Sequence, residues 1–275
     1  MKIPLWDSHV HIFPERLFDA IWNWFQNAGW KIAYAQMGYP QIIEFLKEMG
    51  VERAFLLTYA HKPNMSLSLN LWVKEFCAVN PMFIPFGCLH PDDANLPELL
   101  TTVLDEWEFA GIKLQLAVQG FPADDDRLNP VYEALDRRGK VLIVHTGTAP
   151  YAKADYPFLG VARLKSALRR FPQMKTVIPH LGLFELDTTL ELLAEFPNLY
   201  LDTAWAVANP ATPLTPDRLA QVIADFPDRI LYGSDFPILE YPPQKCVQAL
   251  ENLSLPEEVL EGVLRGNAMR LVEGN

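Results

Sequence analysis

LWDSHVH, residues 5–11, is the stretch on which the reading of the whole chain turns. Successive side chains of a β-strand alternate between faces, so His9 and His11 project to the same side and can grip one ion between them. A His-x-His pair has a second ordinary reading, two imidazoles hydrogen-bonded in a core. The two readings separate on whether the chain brings further ligands to the ends of other strands.

Working outward from this strand, residues 14–30 carry Phe18, Trp22, Trp24, Phe25 and Trp30 at mixed helical spacing and read as an inserted helix. Residues 40–49 place Ile42, Ile43, Phe45, Leu46 and Met49 on one helical face that Gly50 closes, and residues 54–59 form the second strand. The alternation then continues. Helical patterns at 67–79, 96–109, 130–138, 161–171, 186–196 and 216–226 are each followed by an apolar strand, at 83–89, 111–116, 141–145, 176–180, 199–203 and 230–235. A helix at 244–253 closes the series, and residues 256–271 form a helical cap. Eight strands separated by helices are the element list of a (β/α)8 TIM barrel, here one domain over residues 1–275 with an inserted helix after strand one. A doubly wound open sheet uses the same alternation but carries a glycine-rich phosphate loop after its first strand. This chain has His11, Ile12, Phe13 and Pro14 there.

Composition narrows the partners. Half of the 275 residues are hydrophobic, and 23 basic against 34 acidic side chains leave a formal charge of −11, which argues against nucleic acid or an anionic membrane and for a small-molecule substrate. Cys77, Cys88 and Cys246 are odd in number and without Cys-x-x-Cys spacing, so a reduced compartment is expected. Asp7 and His9 interrupt any signal-like apolar segment, and a cytoplasmic protein is the expectation.

Barrel enzymes place their chemistry at the C-terminal ends of the strands. Those ends carry His9 and His11, then His145 closing VLIVH, His180 closing TVIPH and Asp235 closing ILYGSD. Each histidine singly could be a satisfied or surface residue. Together with the carboxylate they form the donor set of zinc or a similar divalent ion. Asp7 lies on the histidine face and reads either as a support for the ligands or as a polar strand residue.

At this point the sequence resembles the amidohydrolase superfamily, on the His-x-His pair, VHTG with His145, PHLG with His180, GSDFP with Asp235 and the closing GNAMRL. More closely it is similar to the amidohydrolase-related branch, which includes aminocarboxymuconate semialdehyde decarboxylase and several hydrolases and lactonases. The resemblance implies that His9, His11, His145 and Asp235 bind one divalent ion, zinc or alternatively manganese, with His180 as a proton-transfer and polarising group beside a bound water. Asp235 would also take a proton from that water. It implies a homodimer as well, the commonest soluble oligomer.

Lys113 and Gln115 face the barrel axis by alternation, and a buried lysine is costly unless paired or neutralised. In binuclear members of the superfamily a lysine on this strand is carbamylated and bridges two metals; pairing with a carboxylate or the substrate, or a structural role, are the other readings. Further substrate-side candidates are Tyr59, His61, His90, Tyr151, Tyr156 and Trp205, all in rim loops. No arginine occupies an obvious rim position, which argues against a multiply charged carboxylate. The leading expectation is a hydrolase that activates water against a lactone, amide or ester carbonyl. The alternative is a non-oxidative decarboxylase of an unsaturated or aromatic acid, and a barrel that binds without turnover is a third reading. On the metal expectation, purified protein carries about one equivalent of zinc or manganese, and His9→Ala or Asp235→Ala loses it; metal analysis showing unchanged content in both variants refutes the ligand assignment.

Overall fold

The computed structural model describes residues 3–147 and 156–274. Its strands are β1 (Leu5–Val10), β2 (Val51–Leu56), β3 (Phe83–Cys88), β4 (Gly111–Gln115), β5 (Val141–His145), β6 (Lys175–Ile178), β7 (Leu199–Asp202) and β8 (Ile230–Leu231). They follow one another in chain order through one sheet with helices between them, a (β/α)8 barrel. The chain divides into two compact units, Met1–Leu56 with Asp202–Asn275, and Leu57–Leu201.

In the first unit β1 and β2 pair in parallel, with Leu5 opposite Val51, Asp7 opposite Ala54 and Val10 opposite Leu56, and the register slips between Asp7 and Val10. The connection holds two helices. The inserted helix α1 (Glu15–Asn27) begins behind Pro14 and buries Phe18, Ile21, Trp22 and Phe25, a single stripe at spacings of three, one and three. Helix α2 (Tyr39–Met49) starts where Gln41 Oε1 accepts the Gly38 N–H at 2.8 Å, and it ends at Gly50 in the left-handed region. The chain enters β2 directly from that glycine, three residues earlier than the apolar run suggests, because Glu52 and Arg53 sit at the more open end of the strand. Thr58 and Tyr59 have already left the ladder.

The second unit stacks β3 to β6 in parallel. Cys88 lies opposite Lys113, Gln115 opposite His145, and Ile143 opposite Val177. Every residue of β4 and β5 is buried, which accounts for the nearly continuous apolar run of β5 and encloses Lys113 and Gln115 on β4. Two expected strands stop short. β6 ends at Ile178 rather than His180, and β8 at Leu231 rather than Asp235. Beyond both ends the chain turns through non-glycine residues at positive φ, His180 at 59° and Asp235 at 70°. No helix among the described residues is long and apolar enough to cross a membrane.

Gly111 starts β4 where a Cβ would stand 1.8 Å from the Val141 carbonyl oxygen. Gly111→Ala is therefore expected to destabilise the protein by about 2–4 kcal/mol, read as a shift of the denaturant midpoint; an unshifted midpoint would show that β4 and β5 can separate without cost.

Candidate metal centre

Alternation along β1 delivers the histidine pair. The two Nε2 atoms of His9 and His11 are 3.2 Å apart with ring planes at 75°, so both nitrogens converge on one point. Asp235 Oδ1 lies 3.2 Å from His11 Nε2 and 3.5 Å from His9 Nε2. His9, His11 and Asp235 are the group of donors close enough to share an ion among the described residues. The donor set fits: a triangle with these edges has its centre about 1.9 Å from each corner, and zinc holds nitrogen or oxygen ligands at about 2.0–2.2 Å. His9 Nδ1 donates to the fully buried Asp202 Oδ2 at 2.7 Å, which fixes the tautomer and leaves the Nε2 lone pair toward the shared point.

Asp235 reaches this position by a hydrogen-bonded seam rather than by a regular strand. Ser8 N donates to Tyr232 O, Ser234 N to Asp7 Oδ1, Asp235 N to His9 O and His11 N to Phe236 O, all at 2.9 Å. Gly233 permits the approach, since a Cβ there would stand 3.0 Å from His9 Cβ and 3.2 Å from Ser8 Oγ. Asp7 is the tie between the two sides, because its Oδ1 also accepts the His9 N–H at 3.0 Å. Complete burial pushes its carboxyl up to about 7 despite these hydrogen bonds.

In the second unit His145 and His180 form a pair of their own, His180 Nε2 lying 3.1 Å from His145 Nδ1. His180, Leu181 and Gly182 are three successive left-handed residues, at φ 59°, 56° and 66°, in a tight turn directly after β6. Two non-glycine residues in that region store strain, as is usual where a side chain must be aimed. Gly182 is required twice over, for its φ and because a Cβ would stand 2.0 Å from Thr189 Oγ1.

The other expected residues lie as follows. Lys113 and Gln115 are buried on β4, Gln115 next to His145 across the ladder. Tyr59 is buried, His61 is exposed, and His90 is buried with its ring edge-on to Phe121. Partial desolvation lowers the pKa of His61, with the nearby Lys62 charge adding to it, and burial lowers that of His90. Trp205 is buried, its indole N–H donating to Glu240 at 2.9 Å. Tyr151 lies outside the described residues. The sequence reading passed over Asp202 and Gln119. Asp202 ends β7 much as Asp235 follows β8, and the strand-end rule that found the histidines applies to it equally. Gln119 accepts the Gln115 N–H and donates to Ala60 O and Leu89 O, tying three rim segments together.

The amidohydrolase family model matches residues 6–273, and the chain belongs to that family. It is an enzyme-type barrel of the amidohydrolase superfamily, and its converging His9, His11 and Asp235 donors are a set that a divalent ion takes. Among curated proteins none matches the sequence. Three solved structures share the fold over nearly the whole chain. They are 5-carboxyvanillate decarboxylase from Sphingomonas paucimobilis (18% identity, 99% of each chain, TM-score 0.68), 2,6-dihydroxybenzoate decarboxylase from Rhizobium (18%, 99% of each chain, 0.69) and dihydroxybenzoic acid decarboxylase from Polaromonas sp. JS666. The last, at 17% identity over 99% of this chain and 97% of that one with TM-score 0.73, holds manganese and the inhibitor 2-nitroresorcinol. These three neighbours, all decarboxylases, overturn the leading expectation of a lactone, amide or ester hydrolase. The physical reason is that the ligand motifs are common to both chemistries, so they identify the ion's seat and not the bond that breaks.

Asp202→Asn removes the ionic partner of His9 and is expected to weaken metal affinity about 10- to 100-fold in a chelator competition; undiminished affinity would mean that Asp202 does not orient the ring.

Proposed function

We propose that the protein is a metal-dependent, non-oxidative decarboxylase of a small hydroxylated aromatic carboxylic acid. The observation that carries the proposal is the convergence of His9 Nε2, His11 Nε2 and Asp235 Oδ1 within a family member whose full-length structural neighbours include decarboxylases of such acids. His9, His11 and Asp235 hold the ion. Manganese is favoured over zinc, because related structures were solved with it. The bound ion supplies a Lewis acid that anchors the substrate's oxygens and withdraws charge from the ring.

The remaining work falls to side chains. Asp235 is the most open of the three converging groups, 13% exposed against 1% and 4% for the histidines, and so is the one able to meet a substrate carbon. In the proposed reaction it delivers a proton to the ring carbon that bears the carboxylate. The bond from that carbon to the carboxyl group then breaks, its electron pair restores the aromatic ring, and carbon dioxide leaves. The next solvent proton returns to Asp235. His180, held against His145, fixes that ring's orientation within its own unit. Asp7 and Asp202 bind no substrate; they keep the seam and His9 in place.

The test is a panel of hydroxylated benzoates given to manganese-loaded protein, with carbon dioxide and the decarboxylated phenol both quantified. Stoichiometric release is expected, with Asp235→Asn reducing it about 1,000-fold. A protein that cleaves lactones or esters and releases no carbon dioxide from any acid in the panel refutes the proposal.

A further inference from the structure

Trp205 is a bulky residue at φ 55°, a conformation that side chains of its size rarely adopt. Such strain persists only where the surroundings over-determine it. Here three groups do so. Trp205 N donates to Ser234 O at 3.4 Å, its carbonyl accepts from the Tyr241 hydroxyl, and its indole Nε1 donates to Glu240 Oε2 at 2.9 Å. The same Glu240 oxygen accepts from Asn209 Nδ2 at 2.9 Å, so one exposed carboxylate fastens two points of the segment that follows β7.

The three residues that grip Trp205 lie on either side of Asp235 in the chain. Ser234 immediately precedes it, and Glu240 and Tyr241 close the turn after it. That turn is compact, with Ile238 N donating to Asp235 O at 2.8 Å and Leu239 N to Pro237 O at 2.9 Å. The segment after α1 covers it: Ala33 N donates to Leu239 O at 2.7 Å, and the Trp30 ring lies 6.0 Å from that of Trp205. The exit of β7 therefore supports the site twice, through Asp202 against His9 and through Trp205 against the segment that carries Asp235.

We infer that Glu240 is a positioning residue that acts through Trp205 to hold the Asp235 carboxylate at the angle its chemistry requires. Glu240 fixes the indole, the indole and its backbone fix residues 234–241, and Asp235 lies within that span. The inference rests on the reading of Asp235 as metal ligand and proton donor.

Three variants of the manganese-loaded protein test it. Glu240→Ala and Trp205→Phe should lower kcat about 10- to 100-fold, with KM within about 3-fold of wild type and the metal content and thermal midpoint little changed. Glu240→Gln, whose side-chain carbonyl still accepts the indole N–H, should keep kcat within about 3-fold. An unchanged kcat in Glu240→Ala overturns the inference, as does a Glu240→Gln variant impaired as badly as Glu240→Ala, or a loss matched by the loss of folded protein. A second readout needs neither metal nor turnover. Among the indole N–H resonances of the seven tryptophans, the one lost in Trp205→Phe should shift in Glu240→Ala, and an unmoved resonance overturns the inference. If no acid is decarboxylated, the proposed function fails separately. In that event a manganese electron-spin spectrum altered in Glu240→Ala and not in Glu240→Gln supports the positioning role, and an unaltered one overturns it.

Discussion

The seam between β1 and residues 232–236 is the constraint on which the site depends. Four hydrogen bonds, all at 2.9 Å, join Asp7, Ser8, His9 and His11 on one side to Tyr232, Ser234, Asp235 and Phe236 on the other. Asp235 is bonded through its own N–H to the carbonyl of His9, so the carboxylate and the imidazole it must meet are fixed to each other through the backbone. A regular ladder would not bring Asp235 to this point. The chain leaves the strand after Leu231, passes His9 closely at Gly233 and turns left-handed at Asp235, and each step has a steric reason.

Burial raises the stakes of this arrangement. Asp7, His9 and Asp202 are all buried, and buried polar groups are tolerated only when partnered. Asp202 takes the ring N–H of His9, and Asp7 Oδ1 takes two backbone N–H groups, that of His9 on its own strand and that of Ser234 across the seam. The result is a set of lone pairs facing one another at 3.2–3.5 Å, a geometry that favours a cation. The orientation of the His9 ring is thus set by Asp202, a carboxylate that is itself fully buried.

Much of this was legible in the sequence because it rests on periodicity. The face shared by His9 and His11 follows from strand alternation, and the eight-strand order follows from the regular exchange of apolar runs and helical stripes. Asp235 was found because its motif ends an apolar run. The details that escaped are those with no periodic signature. Positive φ at His180, Leu181, Trp205 and Asp235 has no periodic pattern to announce it, and the apolar runs that continue past Ile178 and Leu231 do not mark where β6 and β8 end. Asp202 was passed over because an aspartate at a strand end looks like many others until His9 is seen 2.7 Å away. Hydrolysis and decarboxylation were ranked in the wrong order because both chemistries use the same ligands.

The central claim is that one divalent ion is held by the donors that the seam brings together. The most direct measurement is diffraction from crystals of the manganese-loaded protein at the manganese absorption edge. The account predicts a single anomalous peak bounded by His9 Nε2, His11 Nε2 and the Asp235 carboxylate. A peak that touches none of these three atoms, or two peaks of equal height bridged at Lys113, would contradict it.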